Sequence, residues 1–156
     1  SGTLRKNMLP GAIRKRDMWQ MFPFNNTFVT FTVGGETLKH MLEWQAAGKG
    51  EFMQVSGLRY LYDPEKPVGS KVVSAYVNNT PIDLKGRYTI ATNNYVGGHL
   101  TEHLGVFTQG VTLRDLNVVD RDVYINYIQR KKMISSDFEG RVVNVKSPGP
   151  KYDKVD

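Results

Sequence analysis

The chain contains no cysteine among its 156 residues, which excludes disulfides, thiolate metal sites and a cysteine nucleophile together. It contains no apolar run near the roughly 18 residues that a helix needs to cross a bilayer, so no membrane partner is expected. A Gly-x-Ser-x-Gly nucleophile elbow, a phosphate-binding Gly-Lys-Thr loop and a dinucleotide fingerprint are all missing, as are internal repeats and low-complexity blocks. The chain also lacks an initiator methionine and a signal-type apolar segment: it begins Ser1-Gly2-Thr3 and reads as a piece cut from something longer.

What is present is ordinary for a globular protein, with 40% hydrophobic and 23% charged residues. A chain of this length fits one domain and buries about two thirds of its surface. Lys and Arg number 21 against 15 Asp and Glu, a net charge of +6, with local densities at Arg14-Lys15-Arg16 and Arg130-Lys131-Lys132. That balance favours anionic partners, although most often it means only a solvated basic face.

In chain order, Pro10-Gly11 marks a turn. Arg14 to Gln20 predicts a short helix that stops before Pro23, because the residue preceding a proline is pushed out of the helical region. Thr27 to Val33 alternates, with Val29, Phe31 and Val33 on one face, and predicts a half-buried strand. Gly34-Gly35 predicts a turn. Leu38, Met41, Leu42 and Gln45 then give a helix from Glu36 to Ala47, stopped by Gly48. Three short strands are predicted at Glu51–Val55, Leu58–Tyr62 and Lys71–Val77, bounded by Gly and Pro clusters. After a turn at Asn78-Asn79-Thr80-Pro81 comes a strand at Tyr88–Thr92, followed by an Asn- and Gly-rich bend at residues 93–98. His99 to Gly105 predicts one or two helical turns. Asp120 is the expected N-cap of a helix reaching Lys132, with Val123, Tyr124, Tyr127 and Ile128 as its apolar stripe and the basic cluster near the negative end of its dipole. A last strand is predicted at Arg141–Val145. The Pro- and Lys-rich residues 147–156 read as a disordered tail, which leaves residues 1–146 as the domain. Helices and strands interleave without strict alternation, so the expected class is α+β with mixed sheets.

Several stretches suggest chemistry. His99-Leu100-Thr101-Glu102-His103 fits the H-x-x-E-H pattern of inverted zinc peptidases, in which two histidines one helical turn apart bind zinc beside a glutamate. Five residues are weak support, and a polar surface or pocket-lining pair is the more common meaning. Gly34-Gly35-Glu36-Thr37 follows a strand and opens a helix, a place where backbone N–H groups can hold an anion, but it lacks a lysine and a plain connection fits better. Asn25-Asn26-Thr27 and Asn78-Asn79-Thr80 match the glycosylation acceptor pattern, which shows that these loops are polar. The stretch Met21-Phe22-Pro23-Phe24-Asn25-Asn26-Thr27-Phe28 puts three rings into a loop. An exposed ring can stack a nucleobase for about 1 to 3 kcal/mol, and a nearby Arg5 could hold a phosphate. Phe22 and Phe28 suit the core. Phe24 lies between Pro and Asn, where the chain must leave the core.

Pro23-Phe24-Asn25-Asn26-Thr27-Phe28, Gly35-Glu36-Thr37-Leu38, the run from Phe52 through Gln54-Val55-Ser56-Gly57-Leu58 to Tyr62-Asp63, Tyr88 to Tyr95, and Phe138-Glu139-Gly140-Arg141-Val142 together resemble the C-terminal, substrate-recognition domain of the 5'-nucleotidase and UDP-sugar hydrolase family. Ser1-Gly2-Thr3-Leu4-Arg5 resembles that family's Asn-x-Gly-x-x-Arg segment, with its asparagine just before the first residue here.

The resemblance implies a four-layer α/β/β/α domain with mixed β-sheets that grips a nucleoside between two aromatic rings. Its partner would be an N-terminal metallophosphatase domain holding two divalent metal ions. The implied function is the substrate-binding half of a two-domain hydrolase acting on nucleotides or related phosphoesters, inactive alone and periplasmic or extracellular. By position, Phe24 is the first ring and Arg5 faces the phosphate or sugar. The family's Gly-Gly-Asp-Gly-Phe/Tyr element falls on residues 97–103, so Gly98 and, in place of the second ring, His103 complete the expected site. A histidine stacks more weakly and with pH dependence, which opens nucleotide sugars, cyclic nucleotides and other phosphoesters as substrates. The alternative reading is a stand-alone nucleotide or single-stranded nucleic-acid binding module, with nucleic acid the less expected partner.

Overall fold

The computed structural model describes residues 5, 7–135 and 138–147. They form an α+β fold with two sheets, and the chain divides into two compact units. Most of the predicted tail, residues 148–156, lies outside the described residues.

The first unit takes Ser1–Thr32, Thr89–His99 and Gly110–Asp137. It opens with helix α1, Lys15–Met21, whose C-cap Phe22 sits just before Pro23 as expected. Strand β1, Thr27–Gly34, buries Val29, Phe31 and Val33 in the predicted alternation. The three-stranded sheet has β1 at its centre, with β5 (Arg87–Asn93) on one side and β6 (Arg114–Val119) on the other. The β1–β6 pair is antiparallel, with Val29 opposite Asp115, and Thr27 Oγ1 donates to Asp115 Oδ2 across it at 2.8 Å. Strand β6 has no counterpart in the sequence reading, because its residues from Arg114 to Val118 are all exposed and show no burial alternation.

Helix α3, Asn94–Gly98, follows β5 directly, capped by the Asn93 side chain, which accepts from the Val96 N–H at 2.8 Å. The glycine-rich bend is therefore a helical turn. Gly97 makes it possible: a Cβ there would stand 2.7 Å from Val29 Cγ2 on β1. Helix α5 is Asp120–Lys131. Its N-cap is Val119 and not Asp120, which is the first helical residue and is buried, with its N–H donated to the Asn26 carbonyl. The stripe expected to pack against a core is only partly covered, since Val123, Tyr124 and Tyr127 are each more than a third exposed.

The second unit takes Val33–Tyr88, Leu100–Gln109 and Phe138–Asp156. Helix α2, Gly35–Ala46, buries Leu38, Met41, Leu42 and Ala46. The predicted turn before it is absent: β1 ends at Gly34 and α2 begins at the next residue. The first N–H groups of α2 are already engaged, Gly35 N–H with the Gly86 carbonyl at 2.9 Å and Glu36 N–H with the Leu84 carbonyl at 3.2 Å. They therefore do not form an anion site.

The sheet of this unit has the order β4-β3-β2-β7, with β2 at Leu58–Tyr62, β3 at Val72–Val77, β4 at Thr80–Pro81 and β7 at Val142–Asn144. It is mixed, because β2 pairs antiparallel with β3 and parallel with β7. Asn78 and Asn79 supply the two consecutive left-handed residues (φ 48 and 67) that the β3–β4 turn needs. The strand predicted at Glu51–Val55 does not form. Two of its backbone groups bond to side chains instead: Met53 N–H donates to Gln45 Oε1 at 3.0 Å, and the Val55 carbonyl accepts from Arg141 Nη1. The buried Glu43 carboxylate ties α2 to the start of β3, accepting from Lys71 N–H at 2.7 Å and Val72 N–H at 3.0 Å.

Tyr60 on β2 is almost fully enclosed, and burial, assisted by the nearby Tyr62, pushes its phenol up to about 12. In the unfolded chain a tyrosine loses its proton near pH 10, so between about pH 10 and 12 the unfolded state holds fewer protons than the folded state. Stability present below pH 10 should fall through this window by up to about 1.4 kcal/mol per pH unit. Urea denaturation at pH 9 and pH 11.5 checks this: Tyr60→Phe should lose markedly less stability across the interval than the parent chain.

Candidate functional site

The loop joining α1 to β1 carries the rings, and one side chain holds it. Arg121, in the first turn of α5, is 3% exposed. Its Nη1 donates to the carbonyls of Phe22 (2.8 Å) and Phe24 (3.0 Å), and its Nη2 donates to Asn25 Oδ1 (2.8 Å). The guanidinium lies 3.5 Å from the centre of the Trp19 ring on α1. A buried cation is tolerated only when its donors are met and its charge has a partner, and three acceptors and an aromatic face meet most of that need. One turn further along α5, the Tyr124 ring stacks on Phe22, 4.7 Å between centroids and 18° between planes. Burial raises the Tyr124 phenol, and the nearby Asp120 adds to the effect. Burial likewise raises the Asp120 carboxyl.

This framework separates the rings. Phe22 is engaged with Tyr124 and Phe28 is half-buried, whereas Phe24 is 43% exposed. The Arg5 guanidinium carbon lies 5.3 Å from the Phe24 ring centroid, a cation–π distance, and the Arg5 N–H donates to the Met21 carbonyl at 3.1 Å. Two residues selected from the sequence, Arg5 and Phe24, are thus in contact. A separate hollow of about 180 Å³ in the same unit is lined by Met8, Leu9, Ile13, Arg14 and Met21 among others and does not include Phe24. It is smaller than the roughly 300 Å³ at which ligand pockets begin.

Gly98 is exposed at the end of α3, and nothing lies within 4 Å of where its Cβ would stand, so packing gives no reason for a glycine there. His103 belongs to the second unit, on helix α4, Leu100–Leu104. It is 9% exposed, and its carbonyl accepts from Gln45 Nε2 of α2 at 2.9 Å. Four residues further on, Phe107 is 81% exposed, a ring that the sequence reading passed over.

The H-x-x-E-H stretch does not lie on one helix. His99 is the C-cap of α3 with φ −129 and ψ 39, its Nδ1 is 2.8 Å from the Tyr95 carbonyl, and α4 begins only at Leu100. The zinc reading, which needs both histidines on consecutive turns of one helix, loses its geometry. No group of three His, Asp or Glu side chains suited to a metal ion occurs among the described residues.

The sequence reading missed Arg121. A signal for it existed, since a cation in the first turn of a helix opposes the positive end of the dipole and calls for a compensating reason.

Comparison with known proteins supplies the wider context. The family described as "5'-nucleotidase, C-terminal domain" matches residues 1–108. A trifunctional nucleotide phosphoesterase protein of Bacillus subtilis is 26% identical over 97% of this chain and 11% of its own length. A snake venom 5'-nucleotidase of Macrovipera lebetinus is 27% identical over 85% of this chain and 35% of its own length. Among solved structures, a 5'-nucleotidase precursor from Thermus thermophilus aligns with a TM-score of 0.75 at 27% identity, covering 90% of this chain and 29% of that one. The chain therefore spans from 11% to 35% of the length of these relatives. With the family match extending over more than half of its residues, this chain belongs to the 5'-nucleotidase C-terminal domain family.

Proposed function

We propose that this chain is the substrate-recognition part of a two-domain 5'-nucleotidase-type phosphohydrolase that acts on nucleotides or related phosphoesters. In this reading it holds the nucleoside while a separate N-terminal domain carries out hydrolysis. The observation that carries the proposal is the exposed Phe24 ring on a loop anchored from beneath, with the Arg5 cation beside it. A nucleobase stacks on such a ring for about 1 to 3 kcal/mol, and the Arg5 guanidinium supplies charge and fixed donors for a phosphate or ribose oxygen. Of the four positions selected from the sequence, Arg5 and Phe24 carry this reading. Gly98 and His103 enter it on family resemblance alone.

Two divalent metal ions are proposed for the N-terminal domain, where they would supply a metal-held hydroxide as nucleophile. In this reading the chain's part is binding and orienting the substrate. A periplasmic or extracellular location is proposed on the relatives described as a snake venom enzyme and as a precursor.

The purified chain, mixed with AMP and added magnesium, manganese or zinc, should release no phosphate, yet bind adenosine and AMP saturably with a shallow dependence on salt. Turnover by the chain alone would overturn the proposal. A steep salt slope growing with phosphate number would assign the site to single-stranded nucleic acid instead.

A further inference from the structure

The Phe22–Asn25 loop has no ladder of its own, and its backbone polar groups must be satisfied from outside. Three acceptors in this loop, the carbonyls of Phe22 and Phe24 and the Asn25 side-chain oxygen, converge on the two terminal nitrogens of a single guanidinium. Both carbonyls are thereby drawn to the covered side of the loop, and Phe24 is left at the surface with 43% of its area exposed. The guanidinium is itself immobilised. It stacks on Trp19, and Arg121 as a whole is 3% exposed. The Asp120 N–H in turn donates to the Asn26 carbonyl at 2.9 Å, which fixes the loop's far end to the same helix.

We infer that Arg121 is the positioning residue of the Phe24 loop: it holds the ring in its outward, ligand-facing setting without touching the ligand. A guanidinium suits this task because its planar fork reaches two carbonyls and an amide oxygen at fixed angles, whereas a lysine ammonium is a point donor on a flexible stem. The inference rests on Phe24 being the stacking ring, and it also makes a claim about loop order that is independent of any ligand.

The test uses the whole chain and three variants, Arg121→Lys, Asn25→Ala and Phe24→Ala, read by backbone 15N relaxation and by adenosine titration. In the parent chain the amides of Phe24 and Asn25 should show order parameters near about 0.85, falling below about 0.6 in Arg121→Lys. If the outward setting then holds only about a tenth of the time, the apparent dissociation constant for adenosine rises about tenfold. Asn25→Ala, which removes one acceptor and leaves the cation paired, should fall between the two. In the Phe24→Ala background, Arg121→Lys should cost no further affinity, an outcome that a general loss of structure would not give. Unchanged order at Phe24 in Arg121→Lys overturns the inference, as does lost order with unchanged adenosine affinity. If the parent chain does not bind adenosine, the proposed function fails, while the relaxation data still decide whether Arg121 holds the loop.

Discussion

Gly35→Ala should destabilise the second unit by about 3 to 5 kcal/mol, as read from urea denaturation. The added Cβ would stand 2.0 Å from the Asp83 carbonyl oxygen and 2.8 Å from both the Asp83 carbonyl carbon and the Leu84 Cα. All three are main-chain atoms, so no side-chain rotation relieves the clash. Either the start of α2 or the turn at residues 83–86 has to move, and the two are joined by the hydrogen bonds from Gly35 and Glu36 to the Gly86 and Leu84 carbonyls. Forced overpacking costs about 1 to 3 kcal/mol, and each hydrogen bond lost adds about 1 kcal/mol. The neighbouring Gly34 is the internal control. Nothing lies within 4 Å of its Cβ position, and as the N-cap of α2 its change to alanine should cost less than about 1 kcal/mol. Equal denaturation midpoints for Gly35→Ala and the parent chain would show that this close approach does not exist.

Phe24→Ala should weaken adenosine binding by about 1 to 3 kcal/mol, roughly five- to 150-fold, at a smaller cost in thermal stability than truncation of a core ring. The ring is 43% exposed, so its truncation removes only part of the buried area that a fully enclosed ring would lose. The hydrogen bond that holds the loop at this position is made by the Phe24 carbonyl, which the substitution retains. The variant therefore separates the ligand-facing ring from the scaffold beneath it. Phe22→Ala should show the reverse pattern, losing stability through the stacked Tyr124 partner before it loses specific binding.

These two sites differ in how far they could be read from sequence. Strand β1 and helix α2 were legible because Val29, Phe31 and Val33, and then Leu38, Met41 and Leu42, place apolar side chains at the period of each element and all are buried. Strand β6 was not legible. Its residues from Arg114 to Val118 are exposed, Asn117 has a positive φ, and the strand exists because β1 offers it hydrogen bonds. The stretch Glu51–Val55 failed in the opposite sense: its composition suits a strand, but the Met53 N–H bonds to the Gln45 side chain and the Val55 carbonyl to Arg141, 86 residues away. In the candidate site, the division of the three rings followed from Pro23 and Asn25 flanking Phe24. The anchoring role of Arg121 depends on contacts spanning 96 to 99 residues, beyond the reach of any local pattern.

Phe24 as the ring that meets the ligand is tested most directly by an NMR titration of the whole chain with AMP, followed on the aromatic protons of Phe24 and the side-chain NεH of Arg5. Stacking predicts a saturable upfield shift of the Phe24 ring signals, a concurrent shift at Arg5, and little change in the Phe22 ring, which is already stacked on Tyr124. Shifts that saturate elsewhere while Phe24 and Arg5 stay fixed, or equal AMP affinity in Phe24→Ala and the parent chain, would contradict it.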